Sequence, residues 1–186
     1  MELVAAIGAG DEERVRELIA TDPHVLDARD ERGLSPVLAA KYVGQDAIAE
    51  LLAAAGTVDV FDAAATGRSD ELRVILKVQP AAVALRSPDG FTALHYAAFF
   101  ADGPTVGMLL EAGADPAAVA DNPMRVQPLH SAAARRNVEG ARLLLAAGAD
   151  PNAEQQDGFL PLDAAVQNRD EAMEDLLRAH GGRTSR

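Results

Sequence analysis

The 186-residue chain repeats itself, and one short recurring block constrains its fold more than any other feature. The block reads Ser35-Pro36-Val37-Leu38-Ala39-Ala40, then Thr92-Ala93-Leu94-His95-Tyr96-Ala97-Ala98. It returns as Gln127-Pro128-Leu129-His130-Ser131-Ala132-Ala133 and as Leu160-Pro161-Leu162-Asp163-Ala164-Ala165. Pro128 and Pro161 are 33 residues apart, and Ala93 and Pro128 are 35 apart. Pro36 and Ala93 are 57 apart, too long for one unit and short for two. Laying residues 1–40 on 58–97 reveals the missing unit: Gly10 meets Gly67, Pro23 meets Pro80, Gly33 meets Gly90 and Ala40 meets Ala97. The chain thus reads as one domain of six units, approximately 1–32, 33–59, 60–89, 90–124, 125–157 and 158–186. Units this small cannot bury their apolar faces alone and must stack on their neighbours.

Unit five shows the local logic. Pro128 suits the first turn of a helix, where no amide hydrogen is needed. Leu129, Ala132 and Ala133 give a short helix with small inner residues, which lets a second helix come close. Asn137 separates it from Val138–Ala147, where Ala141, Leu144 and Leu145 fall at i, i+3 and i+4. Gly148 takes the left-handed conformation cheaply and stops that helix. Residues 149–157 then supply a hairpin-like turn before Gly158.

A period near 33 with a T-P-L-H-x-A block resembles the ankyrin repeat. The resemblance covers nearly the whole chain. Leu109-Leu110-Glu111-Ala112-Gly113-Ala114-Asp115 and Leu144-Leu145-Ala146-Ala147-Gly148-Ala149-Asp150-Pro151-Asn152 strengthen it, matching the L-L-x-x-G-A-D-x-N tail of that repeat. Bacterial ankyrin-repeat proteins of about this size share this order of features. The resemblance implies an all-α solenoid of helix-turn-helix units with short hairpin fingers, some truncated. It also implies a non-enzymatic protein-interaction module that binds its partner through a concave groove. His95 and His130 stand at the histidine of the block, which in this family hydrogen-bonds between hairpins.

Departures from the pattern are informative. Units one and three lack the block and open on Leu3-Val4-Ala5-Ala6-Ile7 and Val60-Phe61-Asp62-Ala63-Ala64-Ala65. For unit one this is ordinary capping. For unit three, Gly56-Thr57-Val58-Asp59 is too short for a finger, so the row of fingers is expected to break there. Two extra residues within 119–125 make one finger longer than the others. The last helix, Glu171–His180, carries acidic residues on its outer side and gives way to Gly181-Gly182.

Composition excludes several function classes. The absence of cysteine rules out disulfides, thiolate metal sites and cysteine nucleophiles. The chain carries 17 basic and 29 acidic residues, a formal charge of −12, which argues against a nucleic-acid binder. No apolar run approaches the roughly 20 residues of a membrane span. The opening segment has no basic region ahead of Asp11-Glu12-Glu13 and is not expected to be a secretory leader; a cytoplasmic location is expected. Gly8-Ala9-Gly10 follows no strand and precedes acidic residues, so it reads as a helix-to-helix turn and not a phosphate loop. Asp27, Asp30 and Glu31 lack calcium-loop order, and no serine sits in a nucleophile elbow. Neither a catalytic residue, a metal site nor a cofactor is expected. His95 and His130 lie one repeat apart and so do not converge as metal ligands.

Two features point to a partner surface. Residues 124–145 hold Arg125, Arg135, Arg136 and Arg142 against Glu139, a local net charge of +3 in an acidic protein. Pairing with Asp102 or Asp170 is the simplest alternative use for them. The aromatics Tyr42, Phe91, Phe99, Phe100 and Phe159 fall at positions that face the groove in ankyrin proteins. The expected interface is therefore Tyr42, Phe91, Phe99, Phe100, Met124, Arg125 and Arg135, facing a partner with an acidic and apolar contact segment. The competing expectation is that Phe99 and Phe100 fill the space left by truncated unit three. Two further readings stay open: an anion or enzymatic pocket built by Arg125, Arg135 and His130, and closure of a homodimer, against which a monomer is favoured.

Overall fold

The computed structural model describes residues 2–185. Six helix pairs follow one another: α1 (Glu2–Ala9) and α2 (Glu12–Thr21), α3 (Pro36–Tyr42) and α4 (Asp46–Ala55), α5 (Val60–Thr66) and α6 (Ser69–Val78), α7 (Ala93–Phe100) and α8 (Gly103–Glu111), α9 (Pro128–Ala134) and α10 (Val138–Ala146), and α11 (Pro161–Asn168) and α12 (Glu171–Ala179). Among the described residues there is no β-strand; short 3₁₀ turns occupy Pro23–Asp27, Pro80–Ala84 and Gln156–Gly158. The architecture is the all-α solenoid that the repeats imply.

Helix starts follow the sequence closely. Pro36, Pro128 and Pro161 each open a first helix. Polar side chains cap exposed amides: Ser35 Oγ accepts from Leu38 N–H at 3.1 Å, and Asn137 Oδ1 accepts from Gly140 N–H at 2.8 Å. Asp102 and Asp170 do the same for α8 and α12. Capping is therefore how those two carboxylates are used; neither pairs with an arginine of the basic segment. Arg142 instead pairs with Glu139 on its own helix, and Arg136 donates to the Asn168 carbonyl.

Alanines set the spacing between units. Ala39 and Ala40 of α3, Ala63 to Ala65 of α5, Ala97 and Ala98 of α7, and Ala132 and Ala133 of α9 are all buried. Their small side chains let α7 pack directly on α5 and α9 on α7. The outer helices close the stack with Leu72, Leu109, Leu144 and Leu177. α3 divides its contacts: Val37 and Ala40 face the first unit with Leu3 and Ile7, whereas Leu38 joins the core that runs through to α12.

The fingers are tight turns closed by backbone hydrogen bonds. Asp30 N–H donates to the Leu34 carbonyl, Ser87 N–H to Phe91, Ala120 N–H to Val126 and Gln155 N–H to Phe159. The last three fingers are tied in a row, Asp121 N–H donating to the Gly90 carbonyl and Gln156 N–H to Met124. Arg86 Nη1 adds bonds to Gly90 O at 3.2 Å and Val119 O at 2.7 Å. Unit three has only Gly56–Asp59 in place of a finger. Among the described residues no backbone hydrogen bond crosses from the Asp30–Leu34 finger to the next. The two fingers nevertheless touch: a Cβ built on Gly33 would lie 3.1 Å from Pro88 Cβ. The row is broken in hydrogen bonding and closed in packing.

Candidate partner-binding surface

At the place of the missing finger, side chains from units two, three and four converge, with Arg135 of unit five beside them. Tyr42, at the end of α3, meets the Phe100 ring edge-on at 5.4 Å, although 58 positions separate them. Phe100 contacts Phe99 at 4.7 Å, and Tyr96 contacts Phe91 and Phe61 at 5.9 Å each. These edge-to-face arrangements are the favoured geometry for aromatic pairs. Asp89, in the finger that joins units three and four, holds both tyrosines. Tyr42 Oη donates to its Oδ2 and Tyr96 Oη to its Oδ1, each at 2.6 Å. Asp89 is itself fixed by Ser87 Oγ at 2.5 Å, and its carbonyl accepts from Asn122 Nδ2 at 2.8 Å. Burial, followed by the Asp89 carboxylate, pushes both phenols above their ordinary range, so both remain hydrogen-bond donors.

The rings leave a pocket of about 130 Å³, lined by Tyr42, Phe91, His95, Tyr96, Phe99, Phe100 and Met124. Five of the seven residues expected at a partner surface therefore line one cavity. The other two differ. Arg135, at the end of α9, places its guanidinium over the Phe99 ring at 5.1 Å, on the rim. Arg125 sits at φ 52° in the turn that tips the long finger and does not line the pocket. Phe159 lies outside it as well. Among the described residues, no carboxylate stands within ion-pair distance of Arg125 or Arg135, while Arg32 and Lys41 are paired to Asp30 and Asp46. Arg32 covers the Tyr42 ring at 4.9 Å, and Lys41 lies over Phe100 at 5.4 Å.

Of the two expectations for the aromatics, the structure bears on the filling of the gap. Phe100 and Tyr42 do fill the gap left by unit three, since they meet across it. They fill it incompletely, and the half-buried faces of Phe91, Phe99 and Phe100 line what remains. Sequence reasoning missed Tyr96, Asp89, Arg32 and Lys41. Tyr96 had a signal: the equivalent slot in other units holds Ala39, Ser131 or Ala164. A large ring in a small slot needs space from a neighbour, and the missing finger provides it.

Both block histidines cap their own helix, and His95 also reaches the next finger. His95 Nδ1 accepts from Thr92 N–H at 3.2 Å and lies 2.8 Å from Thr92 Oγ1, so Nε2 carries the proton and donates to the Val126 carbonyl at 3.1 Å. Burial lowers its pKa to about 4, with Arg86 and His130 adding repulsion against the partial offset of the Val126 carbonyl. His130 Nδ1 accepts from Gln127 N–H at 3.1 Å, and burial lowers its pKa also. It is 3% exposed and, unlike His95, does not line the aromatic pocket. Asp163 takes the same position in unit six, accepting from Leu160 N–H at 2.8 Å.

A family model for ankyrin repeats, in three copies, matches residues 3–120, and a single-repeat model matches 127–155. The chain belongs to the ankyrin-repeat family. One similar protein is the mouse Ankyrin repeat and SOCS box protein 16, 41% identical over 112 residues. That alignment takes in 55% of this ankyrin-repeat chain and 24% of the mouse protein, so the chain spans about a quarter of its relative. Ankyrin repeats are in general protein–protein interaction modules. Among the described residues, no helix is long and apolar enough to cross a membrane.

Proposed function

We propose that this ankyrin-repeat protein is a non-enzymatic interaction module that engages a protein partner on the finger side of units two, four and five. Tyr42, Phe91, Phe99, Phe100 and Met124 are its apolar contacts, and Arg135 and Arg125 its charged ones. The observation that carries this reading is the meeting of an incompletely filled aromatic pocket with an arginine that has no carboxylate partner among the described residues. Aromatic and arginine side chains are the usual anchors of protein interfaces, and an open apolar pocket gains most from being covered. The buried, neutral histidines do structural work and supply no acid–base pair.

The test is affinity capture with three baits compared with wild type: Phe100→Ala, Arg135→Ala and Glu139→Ala, the last on α10. The partner should be lost or weakened roughly thirtyfold with the first two and retained with the third. Equal capture by the two pocket variants, with loss in Glu139→Ala, would move the interface to the outer helices.

A further inference from the structure

We infer that the pocket between Tyr42 and Phe99 receives one leucine- or phenylalanine-sized side chain from an extended peptide segment, with an aspartate or glutamate two residues away placed on Arg135. This rests on the partner-binding reading above and specifies its occupant. Size comes first. A dry apolar cavity of roughly 150 Å³ holds a benzene ring, so about 130 Å³ suits one branched aliphatic or phenyl group and no more. A tryptophan is too large, and a polar group would meet no partner there.

Charge decides what flanks the anchor. An aromatic cage can also take a cation, but here the ring faces of Tyr42, Phe99 and Phe100 already carry Arg32, Arg135 and Lys41. A fourth positive group would be repelled. Arg32 and Lys41 are neutralised by their own aspartates, which leaves Arg135 as the rim cation to be satisfied from outside. Stacked on Phe99, its guanidinium is held in place while its in-plane N–H donors stay free for a two-pronged bond to a carboxylate. Spacing follows from the backbone. Residues i and i+2 of an extended segment point the same way and lie about 6.6 Å apart. Phe99 is at once a wall of the pocket and the support of Arg135, whose guanidinium lies 5.1 Å from its ring, so the next residue facing the same way as the anchor is the one to meet it. An extended segment also fits the site because the finger that would have covered these rings is absent.

The experiment pans a random phage-displayed peptide library on the wild-type protein, then measures synthetic versions of enriched peptides by fluorescence anisotropy. Enriched sequences should share one Leu- or Phe-sized residue and an acid two positions away. Arg135→Glu should weaken them at least tenfold, and replacing the peptide's acid by lysine should restore binding to Arg135→Glu. Met124→Glu, at a side chain 49% exposed, should also abolish binding while leaving the circular dichroism spectrum unchanged. Peptides lost in Met124→Glu but indifferent to Arg135→Glu, or basic peptides, would overturn the occupant while leaving the surface standing. Peptides that bind Met124→Glu and Phe100→Ala as they bind wild type, or no enrichment at all, would overturn both.

Discussion

Replacing His95 by glutamine should change how stability depends on pH by an amount the structure sets. Glutamine can still accept from Thr92 N–H and donate to the Val126 carbonyl, as His95 does, but it does not titrate. His95 has an ordinary pKa of 6.5 in the unfolded chain and about 4 when folded, because burial disfavours its charged form. Between those values the unfolded chain holds a proton that the folded chain refuses. The His95 contribution is therefore complete above pH 6.5 and is lost as pH falls toward 4. Linkage makes the loss about 2 kcal/mol by pH 5 and about 3 kcal/mol by pH 4. Urea unfolding followed by circular dichroism, for both proteins from pH 8 to pH 4, isolates this term. His130 is present in both and drops out of the difference. At pH 8, His95→Gln should be the less stable protein by about 1–2 kcal/mol through imperfect bond geometry. By pH 4 the order should reverse. Curves that stay parallel would mean His95 is not held neutral, and the tautomer argued from Thr92 and Val126 would fall with it.

Three other perturbations have definite outcomes. Tyr42→Phe removes the 2.6 Å bond to Asp89 and leaves that carboxylate short of a donor, and should cost about 1–3 kcal/mol in thermal or chemical melts; an unchanged midpoint would mean Asp89 does not hold the ring. Gly90→Ala forces a φ of +87° and puts a Cβ 2.3 Å from the Asp121 carbonyl oxygen, whereas Gly44→Ala, at φ +74°, meets nothing within 4 Å. The second should cost about 1 kcal/mol and the first clearly more, and equal losses would mean the fingers are not in contact. Burial, with the Asp59 charge added, raises the pKa of Asp62, so its contribution is present in acid and lost as pH rises; Asp62→Asn should gain stability on wild type between acid and neutral pH, and a flat difference would contradict its burial.

Much of this was legible because repeats print their geometry in register. Pro36, Pro128 and Pro161 mark helix starts, and the shortness of Gly56–Asp59 betrays the missing finger without coordinates. The alanines of the blocks announce close packing. Spatial pairing was not legible. Asp89 and Tyr42 are 47 positions apart, and nothing local says that a finger carboxylate will find a hydroxyl in another unit. The basic segment misled for a different reason. On sequence alone Asp102 and Asp170 are available to the arginines, but each precedes a helix whose free amides it caps, a local use that outcompetes a longer reach. The segment's net charge also overstated what is available, since Arg142 is spent on Glu139 three residues away. Only adjacency in space could show that Arg135 stacks on Phe99 and that Phe99 walls a pocket.

The central claim is that the surface left open by the truncated unit is where a partner binds. Hydrogen–deuterium exchange of the whole chain, alone and with the captured partner, tests it most directly. The account predicts slower exchange on binding in three stretches, residues 30–43, 86–101 and 119–136, with α2, α6 and α12 unchanged. Protection confined to α2, α4 and α6, with the finger peptides exchanging as before, would contradict it.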